Sequence, residues 1–459
     1  MNSTTYKLLW VWVGLVLGSI GCAGYEGAVS KMHESLLSGD KLGALEHANA
    51  ALEVSADEEY PEKLVGNNSL LLLERAMIKQ GLSRYKASSE DFGTADKHLE
   101  LLDLKNDTMG NIGKFIFSDD AAHYQAPAYE KLLLNTFNML SYLSVGDMEG
   151  ARVESRRLRI MQEYLEGEES DQAALADLGA YLAGIAFEAG GRRENALDFY
   201  SDALKSRSYE SLAEPIRRLS ACAQVRDENL DSYIEAHGGP MPQCTPPPEG
   251  KGTLIVVSGV GLVPRKTAVR LPVGAAVAIA GAFLMPMTEE QLARFVARGL
   301  VTWINFPMME RPQEVYSNAS VQVDGVEAPA EVGSDISDKV IAAWDSIKPK
   351  LMAAAIVRMV TRLAAGVATE VAVSKASGSA VGGLLAGLAV QGTMTAFDTP
   401  DTRSWTTLPS RVYVTRMEVP AGDHEVTVVF SGKGSPQVEK KTVSVPAGGF
   451  AVVSSCSMR

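Results

Sequence analysis

At residues 237–252 the chain reads HGGPMPQCTPPPEGKG, and neither a helix nor a sheet ladder continues through such a stretch. Proline lacks the backbone N–H that both structures use, and consecutive prolines flanked by glycine make an open linker. The hydrophobic period changes across it. The linker is therefore expected to separate residues 22–236, helical in pattern, from residues 253–459, which are rich in strand pattern.

In the first part, Gly39, Ala44, Ala48, Ala51 and Leu52 are spaced like Gly191, Ala196, Tyr200, Ala203 and Leu204. A glycine turn followed by small residues on one helical face lets a second helix approach closely. That is the pattern of a tetratricopeptide-like helical hairpin. Weaker copies surround Gly81, with Tyr85, Phe92 and Ala95, and Gly146, with Tyr142 and Ala151. The uneven spacing predicts a degenerate array of about four hairpins. The stretch from Asp107 to Pro127 interrupts it, either as a packed insertion or as a partner-contacting loop. Arg152, Arg156 and Arg157, with Tyr142 nearby, are candidates to line a protein-binding groove; a solvated face is the plainer reading of such a run.

In the second part, Thr253–Ser258 and Lys266–Leu271 read as strands. So do Arg411–Glu418, Glu425–Phe430, Val438–Val445 and Phe450–Ser455, which are separated by PAGD, SGKGSP and PAGG turns. Glu289–Leu300 reads as a short amphipathic helix and Ile336–Val373 as a long apolar one. Ala376–Phe397 follows without a charge, and its Gly378, Gly382, Gly383 and Gly387 are spaced for close helix packing. It and the uncharged Leu271–Met287 either pack inside the C-terminal part or form a membrane-apposed or self-associating surface. The expected fold is α+β: all-α tetratricopeptide-like repeats, then a β-sandwich-like domain with an apolar helical insertion at about 336–397.

The N-terminus bears on location. Lys7 precedes an uncharged apolar run, Leu8 to Gly21, too short to cross a bilayer, which needs roughly 20 apolar residues. Residues 1–21 thus read as a signal peptide, and Cys22 directly after a small residue resembles the lipobox cysteine of bacterial lipoproteins. Ser19 stands where that motif usually has Leu. Acylation at Cys22 would tether the mature chain to a membrane, at about 0.8 kcal/mol per buried methylene. Ala23 at the next position favours the periplasmic face of the outer membrane.

Several chemistries find no support. A formal net charge of -13 and the lack of a basic stripe argue against nucleic acid. The six histidines, His33, His47, His98, His123, His237 and His424, have no metal-ligand spacing, and there is no CxxC, GxSxG or phosphate-loop pattern. No metal, cofactor or enzymatic activity is expected. Cys222 and Cys244 can close a loop beside the linker, leaving Cys456 buried and free, and three unpaired thiols fit the sequence equally well.

The segments DTRSWTTLP (Asp401–Pro409), GVGLVPRK (Gly259–Lys266) and YEKLLLN (Tyr129–Asn135), with the exported cysteine start, resemble a family of bacterial lipoproteins with an N-terminal tetratricopeptide-like region. The resemblance covers most of the mature chain and implies no particular activity. Genes of that family often neighbour one for a penicillin-binding-protein activator lipoprotein, which implies a link to the envelope or cell wall. Within the motif, Asp401 is suited to cap a turn, Arg403 to pair with it, and Trp405 to bury its ring while its N–H finds an acceptor, with Pro409 closing the segment. It reads either as a structural corner of the β domain or as a partner epitope. The functional expectation is an anchored scaffold or assembly factor that binds envelope proteins. The alternative is direct wall binding or a membrane-associated homo-oligomer formed through the glycine-spaced helix.

Overall fold

The computed structural model describes residues 21–101, 123–166, 171–223, 227–244, 249–284, 303–377 and 400–459, with backbone alone at 21–24, 171, 273, 284 and 360–377. Residues 1–20 of the expected signal peptide, residues 107–122 of the stretch expected to interrupt the helical array, the helix expected at Glu289–Leu300 and the glycines Gly378, Gly382, Gly383 and Gly387 lie outside the described residues.

The fold is α+β, with most helices in the N-terminal part and the sheets, a two-residue pair aside, in the C-terminal part. Among the described residues four helix pairs come first: α1 (Gly21–Ser38) with α2 (Lys41–Ala51), α3 (Asn68–Gly81) with α4 (Tyr85–His98), α5 (Ala128–Ser144) with α6 (Met148–Glu166), and α7 (Asp177–Ala189) with α8 (Arg193–Leu204). Short turns join each pair. Gly39, Gly146 and Gly191 supply positive φ there (90°, 78° and 69°), while at the second turn Ser83 takes that conformation (61°) in place of Gly81. Asp40 caps α2 by accepting from Gly43 N at 2.8 Å. Close approach is visible at Gly184, where a Cβ would stand 2.2 Å from the Tyr200 ring. Two strands that the helical pattern did not anticipate, β1 (Glu100–Leu101) and β2 (Gln125–Ala126), pair in parallel between α4 and α5. Helices α9 (Ala213–Cys222) and α10 (Glu228–Ala236) end the helical part, and the Cys222–Cys244 disulfide closes it beside the linker while Cys456 stays buried and reduced.

After the linker come β3 (Lys251–Val260), β4 (Arg265–Pro272), α11 (Val273–Ala280), β5 (Trp303–Glu310), β6 (Tyr316–Val323), β7 (Val326–Ala328), β8 (Glu331–Asp335) and the long α12 (Ile336–Ser377). Then follow β9 (Arg411–Pro420), β10 (Gly422–Gly432), β11 (Gln437–Val445) and β12 (Phe450–Cys456). One four-stranded sheet has the order β12-β3-β9-β8, with β12 and β3 parallel; a second, antiparallel, has the order β11-β10-β6-β7.

Strand β3 lies in the middle of the molecule, and its period of two shows why its run is apolar on both faces. Leu254 and Val256 pack with Val428 and Phe430 of the second sheet, whereas Ile255 and Val257 join the core formed by the helices. Helices thus cover one face of the first sheet and the second sheet covers the other. The helical core takes in Val412, Val414, Val452 and Met458 from beyond the linker, so it is continuous across residues 237–252. A smaller core lies apart from both, where the β4–β5 ribbon and α11 pack on Trp344, Ile347 and Leu351 of α12. No described helix is long and apolar enough to cross a membrane.

Candidate functional site

Residues 400–410 form a strap without regular secondary structure beyond a bridge at residue 400, buried from Asp401 through Ser410 except for a half-buried Thr402. A buried strap needs partners for its backbone N–H groups, and two buried carboxylates supply them. Glu74 of α3 accepts from Thr406 N (2.9 Å), Thr407 N (2.9 Å) and Thr406 Oγ1 (2.8 Å). Glu130 of α5 accepts from Trp405 N (3.2 Å) and from the Tyr124 hydroxyl (2.7 Å). Tyr25 of α1 donates to the Ser404 carbonyl (2.9 Å), and His33 Nε2 meets Thr406 Oγ1 at 2.9 Å.

The strap's own charges are matched. Asp401 accepts from the backbone N–H (3.0 Å) and Nε (2.8 Å) of Arg403, joining the turn and pairing roles expected of the two residues. Arg403 also donates to Asn67 at 2.7 Å. The Trp405 ring meets Phe92 edge-on, centroids 5.9 Å apart, but its Nε1 has no acceptor among the described residues, contrary to expectation. The ring's packing is what holds it. Pro409 is buried, its ring close to Gly259 of β3.

Burial dominates the electrostatics. It raises the Glu130 carboxyl to about 7 and raises Glu74 less decisively, because the Thr406 and Thr407 donors favour the charged form. It lowers His33 to about 4, and it lowers Lys266, whose Nζ stands 4.9 Å from the Trp344 ring centroid and which Asp401 and Glu130 help to keep charged. This buried motif presents no surface to a partner; its chemistry is that of a structural lock between α1, α3, α5 and the C-terminal part.

The open surfaces lie elsewhere. Between α6 and the α7–α8 pair runs a groove of about 530 Å³, whose lining includes Arg152, Arg156, Arg159, Phe187, Arg192 and Phe199. Phe187 and Phe199 stack at 5.3 Å, and the Arg159 guanidinium lies 4.1 Å over the Phe199 ring. Arg152 pairs with Glu149, and Arg159 with Asp202 at 3.0 Å. Arg156 and Arg192 form no ion pair among the described residues, and Ile160 on the rim is 67% exposed.

Of the sequence candidates, Arg152 and Arg156 reach this groove. Arg157 turns away to Glu154 (2.8 Å) and Asp96 (3.5 Å), and Tyr142 packs over Gly150, where a Cβ would meet its ring at 2.4 Å. Arg159 was legible and missed: Arg152, Arg156 and Arg159 keep helical spacing on one face, whereas Arg157 leaves it.

Two further clefts, about 370 and 670 Å³, open where the helices meet the first sheet and share Arg218, Thr253 and Glu418 on their walls. Beneath them Arg416 of β9 grips Glu188 of α7 at 2.8 and 2.9 Å, with the Tyr200 hydroxyl 3.0 Å from its other nitrogen and Arg218 3.2 Å from the carboxylate. Among the described residues no group of acids, histidines or cysteines has metal-binding geometry. The Cys456 thiol, raised to about 11 by burial, stays protonated and unreactive at neutral pH. Compared with known proteins, the chain matches no family model, no curated protein and no solved structure.

Proposed function

We propose that the protein is a lipoprotein anchored through Cys22 on the periplasmic face of the outer membrane, where it works as a protein-binding scaffold or assembly factor of the cell envelope. The helix pairs are then a degenerate tetratricopeptide-like array and the two sheets a β-sandwich that braces it. The observation that carries this reading is the groove between α6 and α7–α8, open, lined by stacked aromatics and bordered by Arg156 and Arg192, which form no ion pair among the described residues. Arginine and aromatic side chains supply much of the binding energy at protein interfaces. The chemistry proposed is binding: buried Glu74 and Glu130 are spent on the strap, and buried Glu188 on Arg416 and Arg218.

A photo-crosslinking residue at Ile160, compared in cells with one at the exposed Val326 of β7, tests this. The reading expects a discrete envelope adduct from position 160 that Arg156→Glu abolishes. Identical adducts from both positions, or none that responds to Arg156→Glu, would sink it. A second reading, membrane association by the C-terminal apolar elements, is favoured by the exposed Trp303 and Phe283.

A further inference from the structure

The hydrogen bonds around the strap fix the relative directions of α1, β4 and α12. Thr402 pairs with Glu26 and Thr406 with His33 (2.9 Å), so α1 runs along the strap from residue 402 toward 406. Val263 N donates to Leu408 O (3.0 Å) and Lys266 N to Ser404 Oγ (3.5 Å), so the chain entering β4 runs the opposite way. β4 therefore leaves the body at the end where α1 begins. α12 takes the same course, since Ser337 N donates to Ser410 O (2.9 Å) near its start and Trp344 stands beside Lys266 two turns later.

From Lys266, beside residue 404, the strand continues to Pro272, roughly 20 Å at ~3.3 Å per residue, of which about 13 Å lies beyond the level of Glu26 at residue 402. From Glu26 back to Cys22, α1 covers only about 6 Å at ~1.5 Å per residue. The far end of the ribbon, where Pro272 pairs with Trp303, thus projects past the residue that the lipoprotein reading acylates.

That end has the surface of an interfacial anchor. Trp303 is 47% exposed, Phe283 49% and Val269 36%, and the Arg270 guanidinium lies 5.7 Å from the Trp303 ring centroid. Behind them, Ala276, Ala280, Ile304 and Phe306 are packed on α12, so the exposed apolar groups sit on a firm base. Over residues 265–284, 303–310 and 336–359 there are seven basic and three acidic side chains, and with Lys266 buried and Lys339 paired to Asp177 of the helical body, five basic ones are left against the three acids, in a chain whose formal net charge is -13. A basic, Trp-tipped, apolar projection on an acidic body complements an anionic lipid surface.

We propose that the far end of the β4–β5 ribbon rests on the phospholipid bilayer that holds the acyl chains of Cys22, with Trp303 and Phe283 at the headgroup–acyl boundary and Arg270 among anionic headgroups. It rests on the anchored-lipoprotein reading. A second, protein-borne contact beside a flexible acyl tether fixes the orientation of the body, and so sets which way the α6–α8 groove faces.

The test uses the processed protein in vesicles of phosphatidylethanolamine and phosphatidylglycerol with brominated acyl chains, which quench tryptophan on contact. Once the leader is gone, Trp303 is the exposed indole, since Trp344 and Trp405 are buried. The proposal expects blue-shifted emission that brominated lipid quenches, loss of that component in Trp303→Phe, and its weakening in Arg270→Glu. Equal quenching of wild type and Trp303→Phe, or no quenching of either, overturns it. A crosslink from position 303 to a second copy, without lipid quenching, overturns it in favour of self-association. The intact mass of the N-terminal peptide from the same sample reports acylation of Cys22 separately. Quenching on unacylated protein would fault the anchor and keep the lipid contact, whereas acylation without quenching would do the reverse.

Discussion

Two buried groups beside the strap give the protein opposite pH dependences. The Glu130 carboxyl, raised from 4.5 to about 7 by burial, contributes stability that is complete below its unfolded value and is lost as pH rises through 7. His33, lowered from 6.5 to about 4 by burial and by Arg265, is held neutral; its contribution is complete above 6.5 and is lost as pH falls through 4. At ~1.36 kcal/mol per unit, each amounts to about 3 kcal/mol over its full range. In urea unfolding at stepped pH, Glu130→Gln should flatten the decline between about pH 5 and 8, and His33→Gln the decline between about pH 6.5 and 4. A wild-type profile unchanged by either substitution would show that neither group titrates in its buried place. Glu74 makes a different prediction, because it accepts from three strap donors, two of them the backbone N–H groups of Thr406 and Thr407. Glu74→Ala should cost about 3–5 kcal/mol, and Glu74→Gln less, since its carbonyl oxygen keeps one acceptor in place. Chemical denaturation of the two variants side by side checks the ordering.

At the scale of elements, the C-terminal strands were legible nearly to their ends. Arg411–Glu418 proved to be Arg411–Pro420 and Val438–Val445 to be Gln437–Val445, because alternation and Gly-containing turns both mark them. Strand β6 carried the same signal and was passed over: Ala319, Val321 and Val323 alternate, and Asp324–Gly325 has the positive φ values (52° and 79°) of a tight hairpin. Strands β5 and β8 are harder to see, since β5 contains a proline and β8 is short and mixed in polarity. The strap was legible as a motif but not as a buried lock, because its partners Glu74 and Glu130 stand more than 270 residues away and no local period reveals them. The disulfide left open by the sequence is formed and spans 22 residues, enclosing α10. By loop-closure entropy it contributes about 3 kcal/mol. The double variant Cys222→Ser with Cys244→Ser should therefore unfold earlier by that amount, with hydrogen exchange accelerated first in Glu228–Ala236. Uniform exchange across the helical part would show that the loop is held by packing alone.

At the scale of the whole molecule, the linker in sequence and the core in space divide the chain differently. The helical part buries Ile255, Val257, Trp405, Val412 and Val414 against itself, and its carboxylates Glu74, Glu130 and Glu188 find their partners on the far side of residues 237–252. The last residue joins in as well, Arg459 Nε donating to Leu37 O at 3.0 Å. Residues 22–236 alone would expose that apolar face and strip Glu74, Glu130 and Glu188 of the donors they take from beyond the linker, leaving Glu130 with the Tyr124 hydroxyl and Glu188 with Arg218 and Tyr200. That loss is of the order of the roughly 5–15 kcal/mol by which domains are stable. The isolated segment should therefore be aggregated or molten, and the full mature chain should unfold in one transition, with far-UV dichroism and Trp405 emission changing together. Arg416→Ala should weaken both parts at once, by about 3–5 kcal/mol, because it leaves Glu188 buried with only Arg218 as its charged partner. A cooperative melt of 22–236 at the temperature of the helical signal in the whole chain would mean that two independent domains merely touch. In that case the groove would turn freely about the linker, and contact of the ribbon with lipid would no longer set its orientation.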